Sequence, residues 1–253
     1  MKNVKDMKII KKLYYRNGKI RGIKFYIGDE IYKEVSYYLN GKIHWESYFR
    51  NDKLNKEDGP AEIEYYQNGN VKHECYCING QLHGDNKPAI IRYYENKNIK
   101  SKKYFINGKC HRENGPAQID YYLNGNIECE FYYLNDNLHG ENKPAALQYY
   151  QNGSIEHEDY FINNELHREN GPAEISYDRN GNIKYENYYI NDKKINIETY
   201  NDITVNKIIK CINECQSIDY LLELKLITNL NFKENFELFE LIESKLIMYT
   251  LAE

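Results

Sequence analysis

The sequence contains no apolar run near the roughly 18 residues that a membrane-spanning helix needs, and its mean hydropathy is -0.83. A membrane-spanning helix is not expected. Tryptophan occurs once, methionine three times and proline five times. Cysteine occurs six times, but none of the six makes the CxxC pairing of a zinc site, and their irregular spacing does not resemble a disulfide framework. Reduced thiols are therefore expected. There is no HExxH pair, no phosphate-cradling glycine loop and no serine-nucleophile motif, so no enzyme, cofactor or metal site is expected. The opening Met1 to Lys8 lacks the apolar centre of a secretory signal, which points to a cytoplasmic location, in the host cytoplasm if the source is viral.

What is abundant is tyrosine, at 27 residues, alongside much Asn, Ile and Lys. That mixture is the bias of an AT-rich genome, bacterial or viral. The net charge of -4 is small but unevenly placed. Residues 1 to 24 carry nine Lys or Arg against one Asp, residues 1 to 60 sum to +6, and residues 61 to 200 sum to -6. A basic end precedes an acidic body.

The few prolines are the key to the architecture. Pro60, Pro88, Pro116, Pro144 and Pro172 are separated by 28 residues without drift, the mark of an internal repeat. The same step carries Tyr37-Tyr38, Tyr65-Tyr66, Tyr93-Tyr94, Tyr121-Tyr122 and Tyr149-Tyr150, degenerating to Tyr177-Asp178. An earlier copy, Tyr14-Tyr15-Arg16-Asn17-Gly18, stands only 23 residues ahead of Tyr37 and lacks the five-residue insertion ending in Pro-Ala. Seven units are expected over residues 13 to 196.

Within a unit the hydrophobic period is two. Ala61, Ile63 and Tyr65 alternate with Glu62, Glu64 and Tyr66, and the equivalent positions repeat the pattern, which predicts a strand with one buried face. Asn68-Gly69 supplies a tight turn. The chain then returns through Val71 to Ile78, and a second turn follows at Asn79-Gly80. Tyr48, Tyr76, Tyr104, Tyr132, Tyr160 and Tyr188 occupy one column and are expected to stack as a ladder, each ring on the next. A mainly β, elongated antiparallel β-hairpin repeat follows.

A second period lies on the first. Alternate units read Lys56-Glu57-Asp58-Gly59, Arg112-Glu113-Asn114-Gly115 and Arg168-Glu169-Asn170-Gly171, while those between read Gly84-Asp85-Asn86-Lys87 and Gly140-Glu141-Asn142-Lys143. Glycine marks the residue needing an unusual φ, so two loop forms are expected in strict alternation. Duplication of a two-unit block would produce this. So would a third short strand, Gln81 to His83, that sends successive units in opposite directions.

The run Tyr65-Tyr66-Gln67-Asn68-Gly69-Asn70-Val71-Lys72 with Tyr76 and Ile78-Asn79-Gly80 resembles the MORN-repeat variant, a repeat of YwqK-like antitoxin components that also occurs in proteins of large DNA viruses. The resemblance spans residues 13 to 196. It implies a sheet of β-hairpins serving as a binding or assembly scaffold, with lipid binding ascribed to some members. The 28-residue unit and the tail depart from that pattern.

After Tyr200 the turn motifs stop. Residues 1-200 are expected to form the repeat domain and 201-253 an α-helical cap, because Ile208, Ile212 and Cys215, and then Phe232, Phe236, Phe239, Ile242, Leu246 and Tyr249, fall at helical spacing. The recurrent His83, His111, His139 and His167 sit about one unit, or about 10 Å, apart, too far to share a metal. The favoured reading is a non-enzymatic scaffold for protein-protein interaction, with Tyr66, Tyr94, Tyr122, Tyr150, Phe232, Phe236, Phe239 and Leu246 as candidate partner-binding residues and a second copy of the chain as one partner. Two other readings remain: a membrane-surface or nucleic-acid adaptor acting through the basic N-terminus, against which the acidic body speaks, and an antitoxin or immunity protein binding a toxin.

Overall fold

A computed structural model describes residues 7–201 and 203. Its backbone is a long antiparallel sheet of 16 strands, fourteen of them in seven successive hairpins and the other two the short strands Lys53–Leu54 and Lys193–Ile195. The first two hairpins pair Met7–Tyr14 with Ile20–Ile27 and Glu30–Tyr37 with Ile43–Arg50. Five more follow at the 28-residue step: Glu62–Tyr65 with Val71–Cys75, Ile90–Tyr93 with Ile99–Lys103, Gln118–Tyr121 with Ile127–Phe131, Ala146–Tyr149 with Ile155–Asp159, and Glu174–Tyr177 with Ile183–Ile190. Fourteen strands side by side at about 4.8 Å span on the order of 60 Å.

Each hairpin closes the same way. The Tyr66 carbonyl accepts from Gly69 N at 2.8 Å and Tyr66 N donates to the Asn70 carbonyl at 2.8 Å, with Gly69 at φ +94. Asn68 Oδ1 accepts from Asn70 N. The left-handed glycine adds one residue to one strand, which is why the pairing slips between Glu64 and Tyr65. The second turn differs, because Asn79 and Gly80 both have positive φ, at +52 and +81, as a two-residue primed turn requires.

That second turn does not extend the long sheet. In the 28-residue units it closes short hairpins beside it: Cys77–Ile78 with Gln81–Leu82, Phe105–Ile106 with Lys109–Cys110, Tyr133–Leu134 with Asn137–Leu138, and Phe161–Ile162 with Glu165–Leu166. Comparison with the 23-residue first unit explains the insertion. There, Glu30–Tyr37 runs unbroken through the long sheet. In later units the added residues split that strand into a two-residue piece in the short hairpin and a four-residue piece that re-enters the long sheet after Pro-Ala. Proline before the strand withholds no ladder hydrogen bond there, and Ala61, Ala89, Ala117, Ala145 and Ala173 are fully buried.

The third strand expected at Gln81 to His83 is present as Gln81–Leu82, but it pairs with its own hairpin and reverses nothing. Each new hairpin enters antiparallel to the strand before it, so every unit runs in the same direction. The two loop forms are real. Gly59, Gly115 and Gly171 have φ near +140 (+139, +135, +142). In the intervening loops Asn86 and Asn142 take the left-handed backbone (+57, +61), and Gly84 and Gly140 are needed for clearance: a Cβ there would lie 2.2 Å from the carbonyl oxygens of Lys87 and Lys143.

The core is distributed along the sheet. In one stretch Ala61, Cys75, Cys77 and Ile90 pack with Leu54, Leu82 and Phe105, joining long strands to short hairpins. Burial pushes the thiols upward, Cys75 to about 12 and Cys110 and Cys129 to about 11, so these behave as inert apolar side chains. A short helix begins at residue 197, and Tyr200 meets Tyr188 with ring centroids 4.6 Å apart. The remainder of the expected helical cap, with Phe232, Phe236, Phe239 and Leu246, lies outside the described residues. Among the described residues no helix is long and apolar enough to cross a membrane.

Candidate interaction surface

Strand alternation places Ile63 and Tyr65 on one face of the long sheet and Glu64 and Tyr66 on the other. The two faces carry two tyrosine columns with different environments.

On the first face the column of Tyr48, Tyr76, Tyr104, Tyr132 and Tyr160 marks the junction between long sheet and short hairpin. Tyr76 N donates to the Ala89 carbonyl at 2.8 Å, while the Tyr76 carbonyl accepts from His83 N at 3.1 Å. The same pair of bonds recurs at Tyr104, Tyr132 and Tyr160. The rings do not stack on one another as the ladder reading expects, since a unit spacing of about 10 Å is too wide for ring contact. Cations stand over them instead: Lys56 Nζ 4.0 Å from the Tyr48 ring centre, Arg112 Cζ 3.9 Å from Tyr104, Lys143 Nζ 4.6 Å from Tyr132 and Arg168 Cζ 3.7 Å from Tyr160. Lys143 comes from the loop form in which glycine and the basic residue have exchanged places, so both forms deliver a cation to the same column. The two arginine-capped rings are the buried ones, Tyr104 and Tyr160.

Beside this column runs a second set of contacts. Tyr93 donates to Glu74 at 2.8 Å and Tyr149 to Glu130 at 2.8 Å, each reaching back 19 residues. Burial and then the neighbouring carboxylate push both phenols well above the usual tyrosine range. Lys102 stands where those glutamates would be, and its Nζ lies 5.5 Å from the Tyr121 ring instead. This face is a closed lattice.

The other column contains four of the sequence-predicted binding residues. The Tyr66 hydroxyl donates to the Tyr93 carbonyl at 2.7 Å, Tyr94 to Tyr121 at 2.7 Å, Tyr122 to Tyr149 at 2.7 Å and Tyr150 to Tyr177 at 2.9 Å. Tyr38 bonds Tyr65 in the same way. Each hydroxyl therefore ties its unit to the next. The rings stay half-buried, and their cations are more distant: Lys72 at 5.9 Å from Tyr66, Lys100 at 5.5 Å from Tyr94 and Arg179 at 5.5 Å from Tyr150. Parallel joints run along the turns, where Asn70 donates to the Glu95 carbonyl and Asn98 to the Leu123 carbonyl.

The recurrent histidines are joints as well. His83 Nδ1 accepts from Asn107 N at 3.2 Å and His111 Nδ1 from Asn135 N at 3.3 Å, while His139 Nδ1 lies 3.2 Å from Asn163 Oδ1 and His167 Nδ1 2.7 Å from Asn191 Oδ1. They lie one per unit, as the spacing argument expects. Of the basic N-terminal side chains, Lys24 pairs with Glu34 and Lys19 donates to the Leu39 carbonyl, whereas Lys11 and Lys12 are exposed.

The pattern of the MORN repeat variant matches residues 9–27 and 173–191. These two stretches carry the MORN repeat variant. The matched stretches are the first and last of the seven hairpins; of the five units between them, the first stands 23 residues after the opening unit and the others follow at the 28-residue step. MORN repeats are a non-catalytic repeat type that builds scaffolds, commonly for protein or membrane binding. No curated protein matches the chain.

Proposed function

We propose that this MORN repeat chain is a protein-interaction scaffold whose working surface is the column of Tyr66, Tyr94, Tyr122 and Tyr150. One observation carries the reading: each of these rings is pinned through its hydroxyl to the backbone of the next unit while remaining half-buried. A side chain held in its binding rotamer loses little entropy when a partner docks, and tyrosine is enriched at protein interfaces because it offers a large amphipathic contact with few torsions. Repetition at about 10 Å per unit suits an extended partner that meets several units at once.

The opposite face supports the choice by contrast, because Tyr48, Tyr104, Tyr132 and Tyr160 there are covered by cations and Tyr93 and Tyr149 are bonded to carboxylates within the chain. The test is affinity capture from native cytosol with the parent protein and a Tyr94→Ala/Tyr122→Ala variant of unchanged circular dichroism. A protein retained in stoichiometric amount by the parent and lost from the variant supports the reading. Equal retention by both overturns it, as does capture limited to nucleic acid or anionic vesicles.

A further inference from the structure

On the Tyr66 face, five junctions between successive units place a residue of one strand directly opposite a residue of the next: Ser47 with Glu62, Cys75 with Ile90, Lys103 with Gln118, Phe131 with Ala146, and Asp159 with Glu174. In the last of these, two acids face one another. Like charges directly opposite on paired strands are destabilising, and no lysine or arginine is bonded to either carboxylate among the described contacts.

His157 lies two residues before Asp159 on the same strand and therefore on the same face. Its Nδ1 is buried and without a hydrogen-bond partner, at 3.5 Å from Asp159 Oδ1. Donor atoms of His157, Asp159 and Glu174 all lie within 4.8 Å of one another. A tetrahedral zinc ion with bonds of about 2.0–2.1 Å holds its ligand atoms about 3.3 Å apart, so the His157–Asp159 separation already fits and Glu174 needs a closing movement of about 1.5 Å at most.

The surroundings are those of a supported ligand set. His157 Nε2 is 2.7 Å from the Tyr185 hydroxyl, which fixes the ring with Nδ1 toward the carboxylates. Glu174 Oε2 accepts from Asn187 Nδ2 at 2.7 Å, and Glu174 Oε1 lies 3.4 Å from the Tyr185 hydroxyl. Outer hydrogen bonds of this kind orient metal ligands. We propose that His157, Asp159 and Glu174 bind a divalent first-row metal ion that bridges two successive MORN units.

One imidazole and two carboxylates suit zinc or its neighbours in the row better than magnesium or calcium, which take oxygen alone. A related group occurs at Glu62, His73 and Cys75. Its members are already engaged, since Cys75 Sγ contacts His73 Nε2 at 3.3 Å and the thiol is held protonated by burial.

The test uses the full-length protein titrated with Zn²⁺ by calorimetry and with Co²⁺ by visible absorption. The expected result is one ion per chain, a Co²⁺ spectrum without thiolate charge transfer, and a melting temperature raised by Zn²⁺. Affinity should fall about 100-fold or more in His157→Ala and Asp159→Asn, while His73→Ala binds like the parent. Asp159→Asn also guards against a folding artefact: relief of the carboxylate repulsion should make the metal-free variant at least as stable as the parent, yet unresponsive to Zn²⁺. Absence of stoichiometric binding overturns the proposal. So does binding that survives Asp159→Asn, or a Co²⁺ spectrum with thiolate charge transfer that disappears in His73→Ala.

Discussion

The guanidinium carbon of Arg168 lies 3.7 Å from the centre of the Tyr160 ring, and the same side chain donates through Nη1 to the Pro172 carbonyl at 3.1 Å. One arginine thereby covers the junction tyrosine of its own unit and holds the loop that leads into the next. Arg112 repeats both contacts, with Tyr104 and Pro116.

Arg168→Ala should therefore destabilise the repeat. Loss of a half-desolvated cation-π contact costs about 0.5–2 kcal/mol and loss of the hydrogen bond about 1 kcal/mol, for a total of about 1–3 kcal/mol. Arg168→Lys should recover much of the ring contact but not the planar fork. Urea unfolding of the two variants checks this, and equal midpoints for parent and Arg168→Ala would refute it.

Lys97 occupies φ +74, where the other units place Gly18, Gly41, Gly69, Gly125, Gly153 and Gly181. A left-handed backbone costs a residue with a Cβ roughly 1–2 kcal/mol, so Lys97→Gly should stabilise the protein by about 1 kcal/mol. A higher denaturation midpoint is the expected observation.

Tyr94→Phe removes one hydroxyl bond to the next unit and leaves the ring in place. The expected loss is about 1 kcal/mol, with faster amide exchange at the Tyr121 to Asn126 turn than at the distant Tyr14 to Lys19 turn. Uniform exchange along the chain would show that the hydroxyl is not a joint.

Alkaline pH should unfold the protein. The Cys75 and Tyr160 groups are pushed by burial from 9.0 and 10.0 to about 12, so the unfolded chain releases these protons first. Their contribution to stability is complete below about pH 9 and is lost progressively as pH rises toward 12. A melting temperature that falls between pH 9 and 11 is expected, and a flat profile would contradict the burial of these groups.

The regular parts of this architecture were legible because repetition amplifies them. A 28-residue step and a two-residue hydrophobic period locate the hairpins, and Asn-Gly pairs locate their turns. The same signals could not say where the second hairpin goes. Whether Gln81–Leu82 joins the long sheet depends on how much chain the five-residue insertion adds before Ala89, a property of loop geometry. The tyrosine ladder failed for a related reason: a column in sequence fixes register, not ring contact, and the cations filling the gaps come from two different loop positions. The hydroxyl joints of Tyr66 and its equivalents span 27 residues and appear only once the sheet is assembled. His157, Asp159 and Glu174 are not legible as a group in the sequence, because the register that sets Asp159 against Glu174 lies in no local motif.

Site-specific photo-crosslinking tests most directly whether the second tyrosine column is the working surface. A photoreactive phenylalanine is placed singly at Tyr66, Tyr94, Tyr122 or Tyr150, and for comparison at Tyr104, whose ring is buried under Arg112. Irradiation in native cytosol should yield an adduct of one common mass from several of the four half-buried column positions and none from Tyr104. Adducts from Tyr104 alone, or from no position in the column, would contradict the account.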